Sequence, residues 1–202
     1  VHLENGRKLK VVALDKTGTI TEGRPRVTDV QPMGGASKDE VLRIAASLDA
    51  LSQHPVARAL TEAWAGPRAD VNGFKSLTGR GVEGTIAGET YFVGNHRLAE
   101  ERKVCSLEVE AVLGHFEVQG KTAIVVASSR AVLGIIAVAD TPRESSVNAL
   151  RSLHAMGVRT LLLSGDNQST ASAIAKAVGI DDARGGMLPE DKLAEIEGLL
   201  KT

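Results

Sequence analysis

The sequence predicts an α/β domain with a parallel sheet, interrupted by an inserted α+β domain. An apolar, β-branched run at residues 11–14 is typical of a buried strand and stops at Asp15. From Asp140 onward, strands and helices alternate strictly, whereas the middle third mixes hairpins with helices. We therefore expect residues 1–31 and 139–202 to form one discontinuous domain, and residues 32–138 to form the insert.

The first strand is followed by the segment that we expect to carry chemistry. Asp15 follows its last apolar residue, at the edge where open parallel sheets place their ligands. The next four residues are Lys16-Thr17-Gly18-Thr19, a turn with hydroxyl and backbone N–H donors. Such donors favour an anion, above all a phosphate, beside the carboxylate.

The insert begins after a linker-like segment, Gln31–Ala36. A capping box at Ser37–Glu40 predicts one helix, and Pro55 at a favoured first helical position predicts a second. The remaining predicted elements are a hairpin over residues 84–93 that turns near Ala87-Gly88, a helix over 107–118, and a hairpin formed by 122–127 and 132–138.

The last third has the periodicity of β/α units. Residues 143–156 predict a helix that ends at Gly157, and residues 158–163 predict a buried strand. Ser164-Gly165-Asp166-Asn167 follows that strand, before a helix over 169–178. A final helix is expected after Leu188-Pro189, and it carries Lys192.

Composition excludes several functional classes. The formal net charge is -1 and the chain has one Trp, one Tyr and three Phe, so nothing favours nucleic-acid binding. Cys105 is the single cysteine, which excludes an intramolecular disulfide and a multi-cysteine metal site. Four histidines have no partners at metal-ligand spacing along the chain and are expected at the surface: His2, His96, His115 and His154.

Asp15-Lys16-Thr17-Gly18-Thr19 resembles the phosphorylation signature of P-type ATPases, the ion pumps of the haloacid-dehalogenase superfamily. Asp15, Ser164 and Lys192 match the superfamily's Asp, Ser or Thr, and Lys in type and order. Most P-type ATPases have Thr-Gly-Asp where this chain has Ser-Gly-Asp. The resemblance implies that Asp15 attacks the γ-phosphorus of ATP, while Lys192 and the Ser164 hydroxyl orient the phosphoryl oxygens.

The resemblance also implies a Mg²⁺ ion held by Asp15 and the Thr17 carbonyl. Superfamily phosphatases carry an acid/base Asp two residues after the nucleophile, where this chain has Thr17. A threonine cannot deprotonate the attacking water, so an acyl phosphate should persist. In the family, a Gly-Asp-Gly-x-Asn-Asp motif follows the last helix and supplies a further Mg²⁺ carboxylate. Residues 1–202 do not contain this motif. We therefore expect them to bind adenine nucleotides but to hydrolyse ATP poorly.

Three motifs in the insert resemble the nucleotide-binding motifs of heavy-metal (P1B) pumps. They are Ser52-Gln53-His54-Pro55, with Gln53 in place of a Glu, then Gly79-Arg80-Gly81 and Val93-Gly94-Asn95. The resemblance implies that His54 contacts adenine and that the glycines let the backbone approach the nucleotide. By the same resemblance, the nucleotide-binding residues are Asp49, His54, Gly79, Gly81, Gly94, Asn95, Asp166 and Arg143.

The family implies the role of the ATP-binding, autophosphorylating cytosolic part of a heavy-metal exporter. ATP and Mg²⁺ are then its ligands, and the transmembrane and actuator domains of the parent pump are its partners. It would work at the cytoplasmic face of a membrane, and the transported metal is not expected to bind to this part. Leu188-Pro189-Glu190-Asp191-Lys192 favours zinc, cadmium, lead or cobalt pumps over copper pumps.

Two alternatives remain open at this point. One is a free-standing haloacid-dehalogenase phosphatase with a cap domain, against which Thr17 and the nucleotide motifs argue. The other is a catalytically silent nucleotide-binding module.

Overall fold

The computed structural model describes residues 9–200 and separates them into two units. The first unit contains the described residues up to Gly23, Glu117–Gly120, and the chain from Asp140 onward. The second contains Arg24–Phe116 and Lys121–Ala139. His2 lies outside the described residues. No helix within residues 9–200 is both long and apolar enough to span a bilayer.

The first unit is built on a three-stranded parallel sheet. Its strands are β1 (Val11–Asp15), β8 (Arg159–Leu163) and β9 (Asp182–Arg184), with β8 in the middle. Three helices belong to the same unit: α5 (Glu144–Ala155), α6 (Gln168–Val178) and α7 (Pro189–Leu199). The α/β prediction for this part is confirmed, and the bounds that were predicted for its strands and helices agree with these elements to within one residue. The strand predicted at residues 11–14 is only partly buried, because β1 lies at the edge of the described three-stranded sheet.

The core of the first unit is aliphatic. Leu162 of β8 is fully buried, and it packs with Leu150 of α5 and Ala171 and Ala175 of α6. Gly179 ends α6 with a left-handed backbone (φ 83°), the conformation that glycine adopts at least cost.

The second unit is a six-stranded antiparallel sheet with helices on both faces. In sheet order its strands are β2 (Arg26–Pro32), β7 (Val132–Ala139), β6 (Thr122–Ser128), β5 (Glu89–Gly94), β4 (Gly81–Ile86) and β3 (Asn72–Leu77). Its helices are α1 (Lys38–Asp49), α2 (Pro55–Glu62), α3 (His96–Glu101) and α4 (Leu107–Glu117). The inserted α+β domain is confirmed as a class.

Alternation along β6 explains the two layers of helices. Ile124 and Val126 pack with α1 and α2, whereas Ala123, Val125 and Ala127 pack with α3 and α4. Because successive side chains of a strand point to opposite faces, a strand that is apolar at every position must be covered on both sides. The predicted hairpin turn at Ala87-Gly88 is confirmed, with φ values of 49° and 86°.

Two details of the sequence-based organisation need correction. The predicted boundary after residue 31 falls inside β2, which pairs with β7 of the second unit, so the structural division lies between Gly23 and Arg24. Helix α3 was not predicted at all. It has six residues, too few to show a clear helical period in the sequence.

Candidate active site

Asp15 ends β1 and stands at the carboxyl edge of the parallel sheet. It lies level with Leu163, the last residue of β8, so Ser164 begins at the same edge. The carboxylate is half exposed, with 47% of its side chain accessible to solvent. A carboxylate at this edge is both anchored by its strand and open to a ligand.

Lys192 of α7 contacts the Asp15 carboxylate. Its Nζ donates to Asp15 Oδ1 and forms an ion pair with it, although 177 positions separate the two residues. An ammonium group at this point neutralises negative charge beside Asp15. The structure therefore brings together the two residues that sequence reasoning singled out as nucleophile and lysine partner.

The segment after Asp15 is an irregular turn, Lys16–Ile20. Thr17 (ψ 122°) and Gly18 (φ 77°) depart from helical angles, and the Lys16 carbonyl accepts from the Thr21 N–H at 3.1 Å. Gly18 has open space around it, so its positive φ rather than crowding requires glycine. Thr17 and Thr19 are exposed, which leaves their side chains and backbone accessible to a ligand.

Ser164 pairs with Asp166, and its contact with a phosphoryl group stays a prediction. It is 1% exposed, and its hydroxyl donates to Asp166 Oδ2 at 3.0 Å while accepting from the Asp166 N–H at 3.1 Å. Asp166 also forms an ion pair with Lys16. Ser164 thus holds Asp166 in place, and Asp166 in turn holds Lys16.

Lys16 is the residue of this site that sequence reasoning missed. Its side chain is 12% exposed, and its ion pair with Asp166 links the turn after β1 to the loop after β8. The only signal was its place inside the Asp15 motif, because the two partners are 150 positions apart along the chain. The pair forms because the carboxyl ends of β1 and β8 are adjacent in the sheet, and this adjacency is known only from the structure.

Arg143 and Asp140 organise the point where the chain leaves and re-enters the first unit. Arg143 donates through Nε to the Thr21 carbonyl at 2.8 Å and through an Nη to the Glu22 carbonyl at 3.2 Å. The Thr21 hydroxyl donates to Asp140 Oδ2 at 2.6 Å, and the Gly23 N–H donates to it at 3.1 Å. In this structure, Arg143 therefore binds backbone carbonyls at the point where the chain leaves the first unit.

The glycine motifs of the second unit come together through the β4–β5 pairing. Gly81 faces Gly94 in the ladder, and the Asn95 amide donates to the Gly79 carbonyl at 2.9 Å. Asn95 Oδ1 also caps α3 by accepting from the Leu98 N–H at 3.1 Å. Arg80 Nε donates to both carboxylate oxygens of Glu101, at 2.8 and 2.7 Å, and this contact ties the same turn to the end of α3.

His54 and Asp49 lie at neighbouring ends of α1 and α2. His54 is exposed and caps α2, its Nδ1 accepting from the Val56 N–H at 3.3 Å. In the neutral ring this leaves the proton on Nε2, a donor available to a ligand. Asp49 is 7% exposed, its Oδ2 has no hydrogen-bond partner among residues 9–200, and burial raises its pKa to about 7.

Comparison with known proteins agrees with this arrangement. Residues 9–202 match the haloacid dehalogenase-like hydrolase family. The chain belongs to this family. The match includes Asp15, Ser164 and Lys192, and the predicted superfamily is confirmed.

Relatives named as metal pumps match almost the whole chain. A cadmium-transporting ATPase of Staphylococcus aureus is 39% identical over 206 residues, which cover 98% of this chain and 28% of that protein. Copper-transporting ATPase 2 of Rhizobium meliloti is 40% identical over 202 residues, covering 98% and 24%. The chain spans roughly a quarter of the length of these curated relatives. Sequence identity does not separate cadmium from copper pumps.

Solved structures give the same result. A zinc-transporting PIB-type ATPase in its E2.Pi state aligns with a TM-score of 0.64 and 34% identity, covering 95% of this chain and 31% of that one. The catalytic domain of the CPx-ATPase CopB-B aligns with a TM-score of 0.70 and 25% identity, covering 99% and 72%. The resemblance to the catalytic region of P1B-type ATPases, predicted from the sequence, is confirmed.

Proposed function

We propose that this chain is the ATP-binding and phosphorylated part of a metal-exporting P-type ATPase, with Asp15 as the residue that accepts the γ-phosphoryl group. The observation that carries the proposal is the contact between Lys192 and Asp15 at the carboxyl edge of the parallel sheet. A strand-end carboxylate paired with a lysine supplies a nucleophile and a cation for a transferred phosphoryl group.

The proposed step is an in-line displacement. An Asp15 carboxylate oxygen forms a bond to the γ-phosphorus, the bond from phosphorus to the β–γ bridging oxygen breaks, and ADP departs with that electron pair. Lys192, already in contact with Oδ1, neutralises charge on the phosphoryl oxygens. Ser164 supports the step by fixing Asp166, which fixes Lys16.

The donors at the turn fit a hard cation. Asp15 offers a carboxylate, and Thr17, with its non-helical backbone, offers an exposed carbonyl on the same segment. Mg²⁺ prefers such oxygen ligands and keeps several waters and phosphate oxygens in its shell, so two protein ligands are compatible with binding. Bound there, Mg²⁺ would offset the charge of the phosphates.

The second unit is proposed to hold the nucleotide. His54 offers a ring face and an Nε2 donor to adenine, while the exposed backbone around Gly79 lies beside Asn95. Asp49 carries an unsatisfied acceptor, and the exocyclic amine of adenine would supply a donor. Because Oδ2 is covered in this structure, that contact requires a local rearrangement. Gly81, Gly94, Asp166 and Arg143 would act by shaping and linking the backbone.

The names of the relatives support a proposal for the function of the whole protein. The matched proteins are named as cadmium- and copper-transporting ATPases, and the aligned structures include a zinc transporter. We therefore propose that phosphorylation of Asp15 drives heavy-metal export. Transmembrane and actuator domains are its proposed partners, and the cytoplasmic face of a membrane is its proposed location. Identity does not separate cadmium from copper relatives, and the segment Leu188–Lys192 is the feature on which we propose zinc, cadmium, lead or cobalt as the cargo class.

The test is single-turnover phosphorylation of the 202-residue chain with γ-labelled ATP and Mg²⁺. Wild type is expected to take up label that survives acid and is released by hydroxylamine, as an acyl phosphate requires. Asp15→Asn is expected to abolish the label, whereas Asp70→Asn, at an exposed position of the second unit, retains it. Label that persists in Asp15→Asn would refute the proposal. Rapid phosphate release from small phosphomonoesters would favour the phosphatase alternative.

A further inference from the structure

Three side chains of metal-ligating type meet beside α3 in the second unit: His96, Cys105 and Glu110. His96 Nε2 lies 2.8 Å from Glu110 Oε1, and Cys105 Sγ lies 3.2 Å from the same oxygen. All three ligand atoms lie within 4.8 Å of one another. The expectation that His96 has no metal-ligand partner is therefore wrong in three dimensions, although it followed from the spacing along the chain.

The fold creates this cluster through a tight connection between two helices. His96 is the first residue of α3, and the chain after α3 turns at Lys103, which has a left-handed φ of 57°. The Val104 N–H then donates to the Ala99 carbonyl at 3.1 Å, which brings Cys105 back alongside α3. Glu110 follows in the first turn of α4. The backbone, rather than a flexible loop, thus places the three groups together.

Hydrogen bonds in the cluster show what a cation would replace. The Cys105 thiol donates a hydrogen bond to Glu110 Oε1, and burial together with that carboxylate raises the pKa of the thiol to about 12. Hydrogen bonds from Cys105 and then from His96 lower the pKa of Glu110. In this cluster, the Glu110 carboxylate is therefore hydrogen-bonded to both Cys105 and His96. A divalent cation would substitute for both hydrogen bonds, and the thiol proton would pass to solvent.

The geometry suits a small tetrahedral ion. Zinc binds sulfur at about 2.3 Å and nitrogen or oxygen at about 2.0–2.2 Å, so its ligand atoms stand roughly 3.3–3.5 Å apart. The Nε2–Oε1 and Sγ–Oε1 separations of 2.8 and 3.2 Å must open by roughly half an ångström or less, and the Nε2–Sγ separation lies within 4.8 Å. The His96 and Glu110 side chains are 32% and 46% exposed, which allows this movement and gives an ion access from solvent.

We propose that His96, Cys105 and Glu110 form a binding site for a thiophilic divalent cation of the zinc, cadmium and cobalt class, with water as the fourth ligand. A thiolate and an imidazole select such ions over Mg²⁺ and Ca²⁺. The site is independent of the Asp15 centre and of the proposed pump function. It departs from the expectation that no heavy metal binds to this part of the chain.

The test is a Co²⁺ titration of the reduced 202-residue chain without an affinity tag. Wild type is expected to bind one ion with a thiolate-to-cobalt charge-transfer band and the visible bands of tetrahedral Co²⁺, and Zn²⁺ should displace the cobalt. Cys105→Ser removes the charge-transfer band. His96→Ala and Glu110→Gln weaken binding by about tenfold or more. The matched controls His115→Ala and Glu108→Gln, on α4 but outside the cluster, leave it unchanged.

Two further measurements test deprotonation of the thiol and folding of the variants. Calorimetry in buffers of different ionisation enthalpy should show that wild type releases a proton on Zn²⁺ binding and that Cys105→Ser does not. Trp64 fluorescence without metal confirms that each variant is folded. Absence of the charge-transfer band in reduced wild type would overturn the proposal. Equal affinity in wild type and all three site variants would overturn it as well.

Discussion

Gly81 and Gly94 face each other across the β4–β5 ladder, and neither position has room for a β-carbon. A β-carbon on Gly81 would lie 2.1 Å from the Val93 carbonyl oxygen, and one on Gly94 would lie 2.3 Å from the Arg80 carbonyl oxygen. Gly79, by contrast, has open space and a φ of 67°. Packing between strands therefore explains two of the motif glycines, and Gly79 alone of the three is left open to a ligand.

Gly94→Ala is expected to destabilise the second unit much more than Gly79→Ala. The first change forces a backbone clash and should cost about 3 kcal/mol, whereas the second strains a positive φ and should cost about 1 kcal/mol. Urea unfolding followed by Trp64, the single tryptophan of the chain, measures both. Equal losses would contradict the packing explanation.

Two substitutions of His54 are expected to separate its role in capping α2 from its proposed role in nucleotide binding. Asn is a good N-cap residue, so His54→Asn should keep the stability of α2, whereas His54→Ala should lose about 1 kcal/mol. Both substitutions remove the imidazole ring. Because its stacking on adenine is lost, ATP binding should weaken by about tenfold or more. Nucleotide titration and thermal unfolding of the two variants measure the two effects. Wild-type affinity in His54→Asn would remove His54 from the nucleotide site.

Asp49 is expected to make the second unit less stable as the pH rises. The pKa of Asp49 is about 7 in the folded chain, because burial disfavours the anion, and about 4 when the chain is unfolded. Between these values, only the folded state holds the proton, so the contribution of Asp49 to stability is greatest below pH about 4 and falls until pH about 7.

Asp49→Asn removes this dependence. Its stability relative to wild type should rise by about 1.4 kcal/mol per pH unit between pH 5 and about 7, and then level off. Urea unfolding at several pH values, followed by Trp64, measures the difference. Asp70→Asn, at an exposed position of the same unit, should run parallel to wild type. Parallel curves for Asp49→Asn would show that Asp49 is not strongly desolvated.

Thr17→Asp is expected to shorten the lifetime of the proposed phosphoenzyme. Thr17 is exposed two residues after Asp15, and a carboxylate there could accept a proton from the attacking water. Dephosphorylation should accelerate by about 10²-fold. Decay of the labelled chain after an ATP chase measures the rate, and Thr17→Asn provides a neutral side chain of similar size. The idea fails if both variants decay at the same rate.

Local pattern was sufficient for much of the fold. The run before Asp15 and the run before Ser164 were both predicted as strands, and the hairpin at Ala87-Gly88 followed from its turn residues. These signals succeed because burial, which is nearly complete in β8 and partial in β1, and positive φ values restrict residue types locally. The domain boundary was misplaced because β2 pairs with β7, whose residues lie about 100 positions further along.

The sequence by itself determined which chemical groups are present and in what order: a carboxylate after the first strand, a hydroxyl after a later one, and a lysine in the last helix. Only the tertiary structure decided which groups meet. It paired Lys192 with Asp15, turned the Ser164 hydroxyl to Asp166, and joined His96, Cys105 and Glu110. The physical reason is that a contact depends on strand register and helix placement, which are set by burial of the whole core rather than by neighbouring residues.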